Sequence, residues 1–154
     1  MRIAILIACA FLCSCTTQKH DLEYWSSTTA RYVDSPFAQS LSSLVQRIEK
    51  GDLSAWDKFA AEANGLDGEY SQTYSVACSE LLRRDPTFLL RRYLAGDPRA
   101  LSAARRGYGR SGPAGRSLLD EIYARRLYIA STDLERRKIA DFIDQTATIA
   151  DKRK

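Results

Sequence analysis

The four prolines constrain this chain more than any other feature. Pro36 follows Ser35, Pro86 follows Asp85, Pro98 follows Asp97 and Pro113 follows Gly112. Proline fixes φ and lacks an N–H, which suits the first turn of a helix and nothing deeper in it. All four therefore read as helix openings, and none interrupts a helix. Asp52 ahead of Leu53 supplies a further start, and Thr132 with Glu135 three residues on has the capping-box spacing. Gly51, Gly65, Gly96 and Gly107 stand where helices end in a left-handed residue. The pattern predicts six or seven helices, over about 36–50, 53–64, 68–84, 86–95, 98–107, 114–130 and 133–150. No alternating run of β-branched residues bounded by turns occurs, so strands are not expected. The expected fold class is all-α: one compact domain of antiparallel helices over residues 34–154.

Periodicity assigns faces to these helices. Ile139, Phe142, Ile143, Thr146, Ile149 and Ala150 form a stripe opposite Arg136, Arg137, Asp141 and Asp144. Tyr70, Tyr74, Ala77, Cys78, Leu81 and Leu82 share the core face of their helix, which makes Cys78 a buried, inert thiol. Residues 44–56 echo residues 89–101 at an offset of 45, with Leu, Arg, Gly, Asp and Ala at matching places. A period of that size resembles the helical pairs of HEAT and armadillo repeats, which implies two stacked units. The alternative is that any helix, glycine, aspartate-cap and helix junction reads this way.

With 45% apolar residues in 154, the chain can fill a core, whereas its only histidine, His20, leaves little for acid–base or metal chemistry. No metal or cofactor is expected. Gly107-Tyr108-Gly109-Arg110-Ser111-Gly112 matches the dinucleotide-binding glycine pattern, but the residues before it are helical where that fingerprint needs a strand. A flexible inter-helix loop is the expected meaning. Asp120 and Glu121 are adjacent on a helix and diverge, so they do not make a hydrolytic pair. The chain reads as a non-enzyme, with a hydrolase as the weaker alternative.

The N-terminus reads as an address. Arg2 precedes the apolar run Ile3–Leu12, which has a secretory layout and is too short to span a bilayer. Leu12-Cys13-Ser14-Cys15 then resembles the lipobox of bacterial lipoproteins. Leu6-Ile7-Ala8-Cys9 fits the same pattern but leaves too short an apolar segment. The resemblance implies a signal over 1–14, acylation of Cys15 and a membrane anchor through those acyl chains. Thr16 after the cysteine implies an outer-membrane anchor facing the periplasm. Residues 15–33, polar and without an apolar stripe, read as a tether.

Charge divides the chain in two. Residues 15–80 hold five Lys/Arg against ten Asp/Glu, and residues 81–154 hold seventeen against nine. Arginine binds carboxylates bidentately and stacks on aromatic rings, so an arginine-rich, lysine-free block with interleaved tyrosines suits an interface. The candidate binding surface is Arg83, Arg84, Arg91, Arg92, Tyr93, Arg105, Arg106, Tyr108, Arg110, Arg116, Arg125 and Arg126. An acidic protein partner is expected and, given export, no nucleic acid. Pairing of these arginines with the acidic half of the same chain is the competing reading. In size and placement alone, the chain is similar to small helical lipoproteins that act as immunity proteins against envelope-attacking effectors. A structural lipoprotein holding peptidoglycan or anionic lipid is the alternative.

Overall fold

The computed structural model describes residues 35–151, with side chains through residue 148. The expected signal over 1–14, Cys15 and the tether over 15–33 lie outside the described residues. Among the described residues, seven helices follow one another with short connections: α1 Pro36–Glu49, α2 Leu53–Ala61, α3 Gly68–Arg84, α4 Phe88–Leu94, α5 Arg99–Arg110, α6 Gly112–Ile129 and α7 Asp133–Asp151. There is no strand among the described residues, and the fold is all-α.

Local chemistry explains most boundaries. The Ser35 hydroxyl accepts the Ala38 N–H at 3.0 Å, which caps α1 ahead of Pro36. Thr132 Oγ1 accepts the Glu135 N–H at 3.1 Å, and the Glu135 carboxylate reaches back to the N–H of Ser131. The capping box thus closes one residue upstream of its usual donor.

The two junctions that echo each other in sequence share one local geometry. Gly51 and Gly96 take φ of 89° and 90°, a region open to glycine because it has no Cβ. Their N–H groups donate to Ile48 O and Tyr93 O, both at 2.9 Å. The next residues, Asp52 and Asp97, donate their N–H to Arg47 O and Arg92 O, both at 3.0 Å. In each case the aspartate side chain then caps the following helix and binds the arginine five residues before it.

The second junction goes further than the first. Asp97 is buried, and its carboxylate also accepts the indole N–H of Trp56 at 2.8 Å and two side-chain bonds from Arg99 at 2.8 and 2.9 Å. One side chain therefore ties together α2, α4 and α5. The Arg99 guanidinium continues to Asp57 at 2.8 Å and lies 5.9 Å from the centre of the Trp56 ring.

The core is built on α3 and α5, which cross most closely of all the helices. α1 packs on α2 and α3, and α7 packs on α4, α5 and α6. Trp56, Phe59, Tyr74 and Phe88 form one aromatic group, with Phe59 and Tyr74 4.9 Å apart and Trp56 edge-on to Phe88 at 5.5 Å. Phe142 holds a second group, 5.3 Å from Tyr93 and edge-on to Tyr123 at 5.4 Å. Ile139, Phe142 and Thr146 are buried on α7, as its stripe predicts.

Four sequence expectations need correction. The Gly107–Gly112 stretch is not a loop: α5 continues to Arg110 and α6 begins at Gly112, with Ser111 alone between them. Gly107 is accordingly no left-handed cap. It lies where α5 meets α3, and a Cβ there would stand 2.7 Å from the Cys78 carbonyl oxygen and 2.7 Å from Leu82 Cδ1. Tyr70 is exposed rather than core, edge-on to Phe37 at 5.3 Å. Helix α2 stops at Ala61, three residues before its predicted end, and the chain reaches the left-handed Gly65 through a turn.

Candidate binding surface

The arginine block does not converge on one face. Arg83 and Arg84 close the last turn of α3, where both bind Glu80, and Arg84 also reaches Glu49 of α1 at 2.9 Å. Burial would raise the Glu80 carboxyl, yet the hydrogen bonds from the two arginines hold it below the usual range. Arg106 lies near the other end of the same helix, bonded to Ser71 at 2.9 Å with its guanidinium 5.5 Å from the Tyr74 ring centre. Ten or more residues of helix separate these positions, a rise of roughly 15 Å.

Most of the remaining arginines stitch the fold together. Arg91 binds Asp85 and Thr87 at the start of α4, and Arg92 binds the buried Asp97. Arg105 donates to the backbone oxygen and side-chain oxygen of Gln145, at 2.9 and 2.8 Å, and so joins α5 to α7. Arg125 pairs with Glu121 one turn away. Contacts that reach from the basic half into the acidic half include Arg83 and Arg84 to Glu80, Arg84 to Glu49, Arg99 to Asp57 and Arg106 to Ser71.

The tyrosines are mostly interior. Tyr108 is buried, and its hydroxyl donates to Asp120 at 2.9 Å; burial and that carboxylate push its phenol up to about 12. Tyr93 packs on Phe142 and donates to Asp141. Of the candidate residues, Arg110, Arg116 and Arg126 have neither an ion pair nor a side-chain hydrogen bond among the described residues, and the same holds for Arg137 on α7. Arg110 and Arg116 flank the corner between α5 and α6. There the Ser111 hydroxyl donates back to Gly107 O at 2.8 Å, so it does not cap α6.

Sequence reasoning missed the link between Trp56 and Asp97, whose aspartate read only as a cap. It also missed a row of exposed apolar side chains on α6. The signal for the second was present, because apolar residues in 112–129 fall on more than one helical face.

Two shallow grooves lie among the described residues. A groove of about 510 Å³ between α6 and α7 is lined by Leu127, Asp133, Arg136, Arg137 and Ala140. Another of about 420 Å³ between α1 and α2 is lined by Ser40, Ser43, Leu44, Arg47, Lys58, Ala61 and Glu62. Among the described residues, no three His, Cys, Asp or Glu side chains gather into a metal-binding group, and no helix is long and apolar enough to cross a membrane.

Cys78 is fully enclosed beneath Gly107, and burial pushes its thiol up to about 12. Iodoacetamide at pH 8 should therefore leave Cys78 unmodified in the folded protein and label it completely in 6–8 M urea, as read by peptide mass analysis. Labelling of Cys78 at comparable rates with and without urea would contradict this burial. No protein-family model, no curated protein and no solved structure matches this chain.

Proposed function

We propose that this chain is an acyl-anchored lipoprotein of the bacterial envelope that acts, without catalysis, as a binding protein for an acidic protein partner. It is attached through Cys15 to the outer membrane and faces the periplasm. The partner is an envelope-acting effector whose acidic cleft the domain occludes, which makes the chain an immunity protein.

The single observation that supports this reading is the division of labour among the arginines. Eight of the eleven between residues 83 and 126 bind acceptors within the fold, and Arg110, Arg116 and Arg126 have none among the described residues. A guanidinium without an internal acceptor keeps its donors for a carboxylate elsewhere. Around the corner that Arg110 and Arg116 flank, Tyr108, Ser111 and Leu119 are buried.

Two measurements test the proposal. Metabolic labelling with a fatty-acid analogue should mark the chain, and Cys15→Ser should remove the mark. Capture of an envelope protein by the purified chain should then be lost in the triple variant Arg110→Ser, Arg116→Ser and Arg126→Ser, with far-UV circular dichroism unchanged. An unlabelled chain would sink the anchor. Undiminished capture by the triple variant would sink the arginine surface. Binding that shows no partner preference and collapses in about 0.5 M salt would favour an anionic-polymer or lipid ligand instead.

A further inference from the structure

The bend between α6 and α7 carries the least covered apolar side chains of the described residues: Tyr128 is 89%, Leu134 66% and Ile129 63% exposed. Tyr128 and Ile129 close α6, Leu134 stands in the first turn of α7, and residues 130–132 join them. Leu127 lines one groove with Asp133, Arg136, Arg137 and Ala140, so the two helices run back along each other and the bend is a convex tip. Ala130 at the bend is buried. The core therefore reaches to the base of the tip and leaves these three side chains outside it.

Cations stand just behind the tip on both helices. Residues 125–138 hold five Lys/Arg against two Asp/Glu. Arg125 lies four residues before Ile129 and Lys138 four residues after Leu134, so each aliphatic side chain has a cation on its own side of the helix, about 6 Å of rise behind it. Both carboxylates are engaged: Glu135 accepts the Ser131 N–H at 3.0 Å and its hydroxyl at 2.9 Å, and Asp133 pairs with Arg136 at 3.0 Å. Arg125 shares Glu121, whereas Arg126, Arg137 and Lys138 have neither an ion pair nor a side-chain hydrogen bond among the described residues. This order, apolar apex first and unpaired cations one turn behind, is the profile of a lipid leaflet met from outside. An interfacial element sinks its apolar part roughly 5–10 Å into the acyl boundary and leaves Lys and Arg among the phosphates, the level at which a phenol also settles. A second copy of the tip would set cations against cations. A protein partner would need an apolar cup shaped to the three side chains, and a leaflet needs no such shape.

We propose that the α6–α7 tip is a contact site for anionic phospholipid, in which Tyr128, Ile129 and Leu134 enter the acyl edge of a leaflet and Arg126, Arg137 and Lys138 take its phosphates. The tip meets the leaflet end-on. Each cation at the surface contributes about fivefold to the affinity, so the contact is reversible and depends on the anionic lipid. The inference does not depend on acylation of Cys15 or on an acidic protein partner, because it rests on the tip alone and its test leaves the arginines varied above unchanged.

Photo-crosslinking from the tip of the full chain reads directly what covers it. Tyr128→benzoylphenylalanine and Leu134→benzoylphenylalanine chains are irradiated with vesicles of phosphatidylcholine alone or with about 30% phosphatidylglycerol. With phosphatidylglycerol present, both should give phospholipid adducts by mass analysis, at least about fivefold more than a Leu53→benzoylphenylalanine chain, whose probe sits at a position 53% exposed on α2. The yield at 128 and 134 should fall at least about fivefold without phosphatidylglycerol, and likewise when Arg137→Ser and Lys138→Ser are combined. All of these positions are exposed, and unchanged far-UV circular dichroism shows that the variants fold. A yield at the tip no higher than at position 53 would overturn the inference, as would adducts indifferent both to phosphatidylglycerol and to the double variant. Irradiation in cells that couples the tip to an envelope protein and not to lipid would also overturn it, and would assign the tip to a protein partner. Adducts at the tip of a chain that takes up no fatty-acid label would remove the anchor and leave this site standing; a labelled chain without adducts would do the reverse.

Discussion

Asp97→Ala should lower the stability of the domain by about 3–5 kcal/mol, the cost of leaving buried charged and polar partners without their acceptor. The Asp97 carboxylate accepts the Trp56 indole N–H at 2.8 Å, Arg92 at 3.1 Å and Arg99 at 2.8 Å. Its removal strands an indole N–H in the core. It also strands Arg92, whose Nε is already buried without a partner. Urea unfolding followed by circular dichroism measures the loss. The echo position gives the internal control, because Asp52 is half-buried and binds only residues 47 to 55, so Asp52→Ala should cost clearly less. Equal losses at the two positions would contradict the role assigned to Asp97.

The same carboxylate makes stability fall in acid. Hydrogen bonds from Arg99 hold the Asp97 carboxyl well below the usual carboxylate range; burial opposes them, and Trp56 and Arg92 add to the lowering. The folded value therefore lies below the unfolded one, near 3.9. Its contribution is fully present above about pH 5 and is lost as the pH falls through the acid range toward the folded value. Asp97→Asn should be less stable at neutral pH and should show a shallower decline below about pH 4, because one carboxylate no longer takes up a proton on unfolding.

Gly107→Ala should destabilise the domain by about 2–3 kcal/mol, and Gly109→Ala should stabilise it by about 0.5–1 kcal/mol. Alanine in place of a helical glycine is normally favourable, so the first sign is a reversal. A Cβ at 107 meets the Cys78 carbonyl oxygen and Leu82 Cδ1, both at 2.7 Å, whereas at 109 it meets nothing within 4 Å. The backbone oxygen cannot turn aside as a flexible side-chain tip can, so α3 and α5 must separate along their closest contact. Thermal unfolding should show a fall of roughly 8–12 °C for the first variant and a small rise for the second. Two rises would mean that the crossing is looser than the geometry requires.

These residues also mark what could be read from sequence. Helix ends were legible because their causes are local: Ser35 binds three residues ahead, and Gly51 and Gly96 turn the chain where a side chain would be strained. Gly107 was misread because its reason is Cys78, 29 residues earlier, and nothing in the run Gly107–Gly112 reports the helix lying across it. Asp97 was read as a cap for the same reason, since its partner Trp56 is 41 residues away. The arginine block was legible as a concentration of charge, but its meaning was not. Arg84 and Arg99 find Glu49 and Asp57 only once α1 and α2 fold back on the later helices. What remains unpaired is a residue of subtraction, and composition alone cannot perform that subtraction.

The matched corners at Gly51-Asp52 and Gly96-Asp97 carry a consequence for how such a chain can grow. Each corner is self-sufficient, since the turn, the cap and the bracing guanidinium all come from within a few residues. A segment bounded by two such corners can be lengthened by insertion of another like it, without any new solution for reversing the chain. The limiting demand then shifts from the bend to the apolar faces that each added pair of rods must find to lie against.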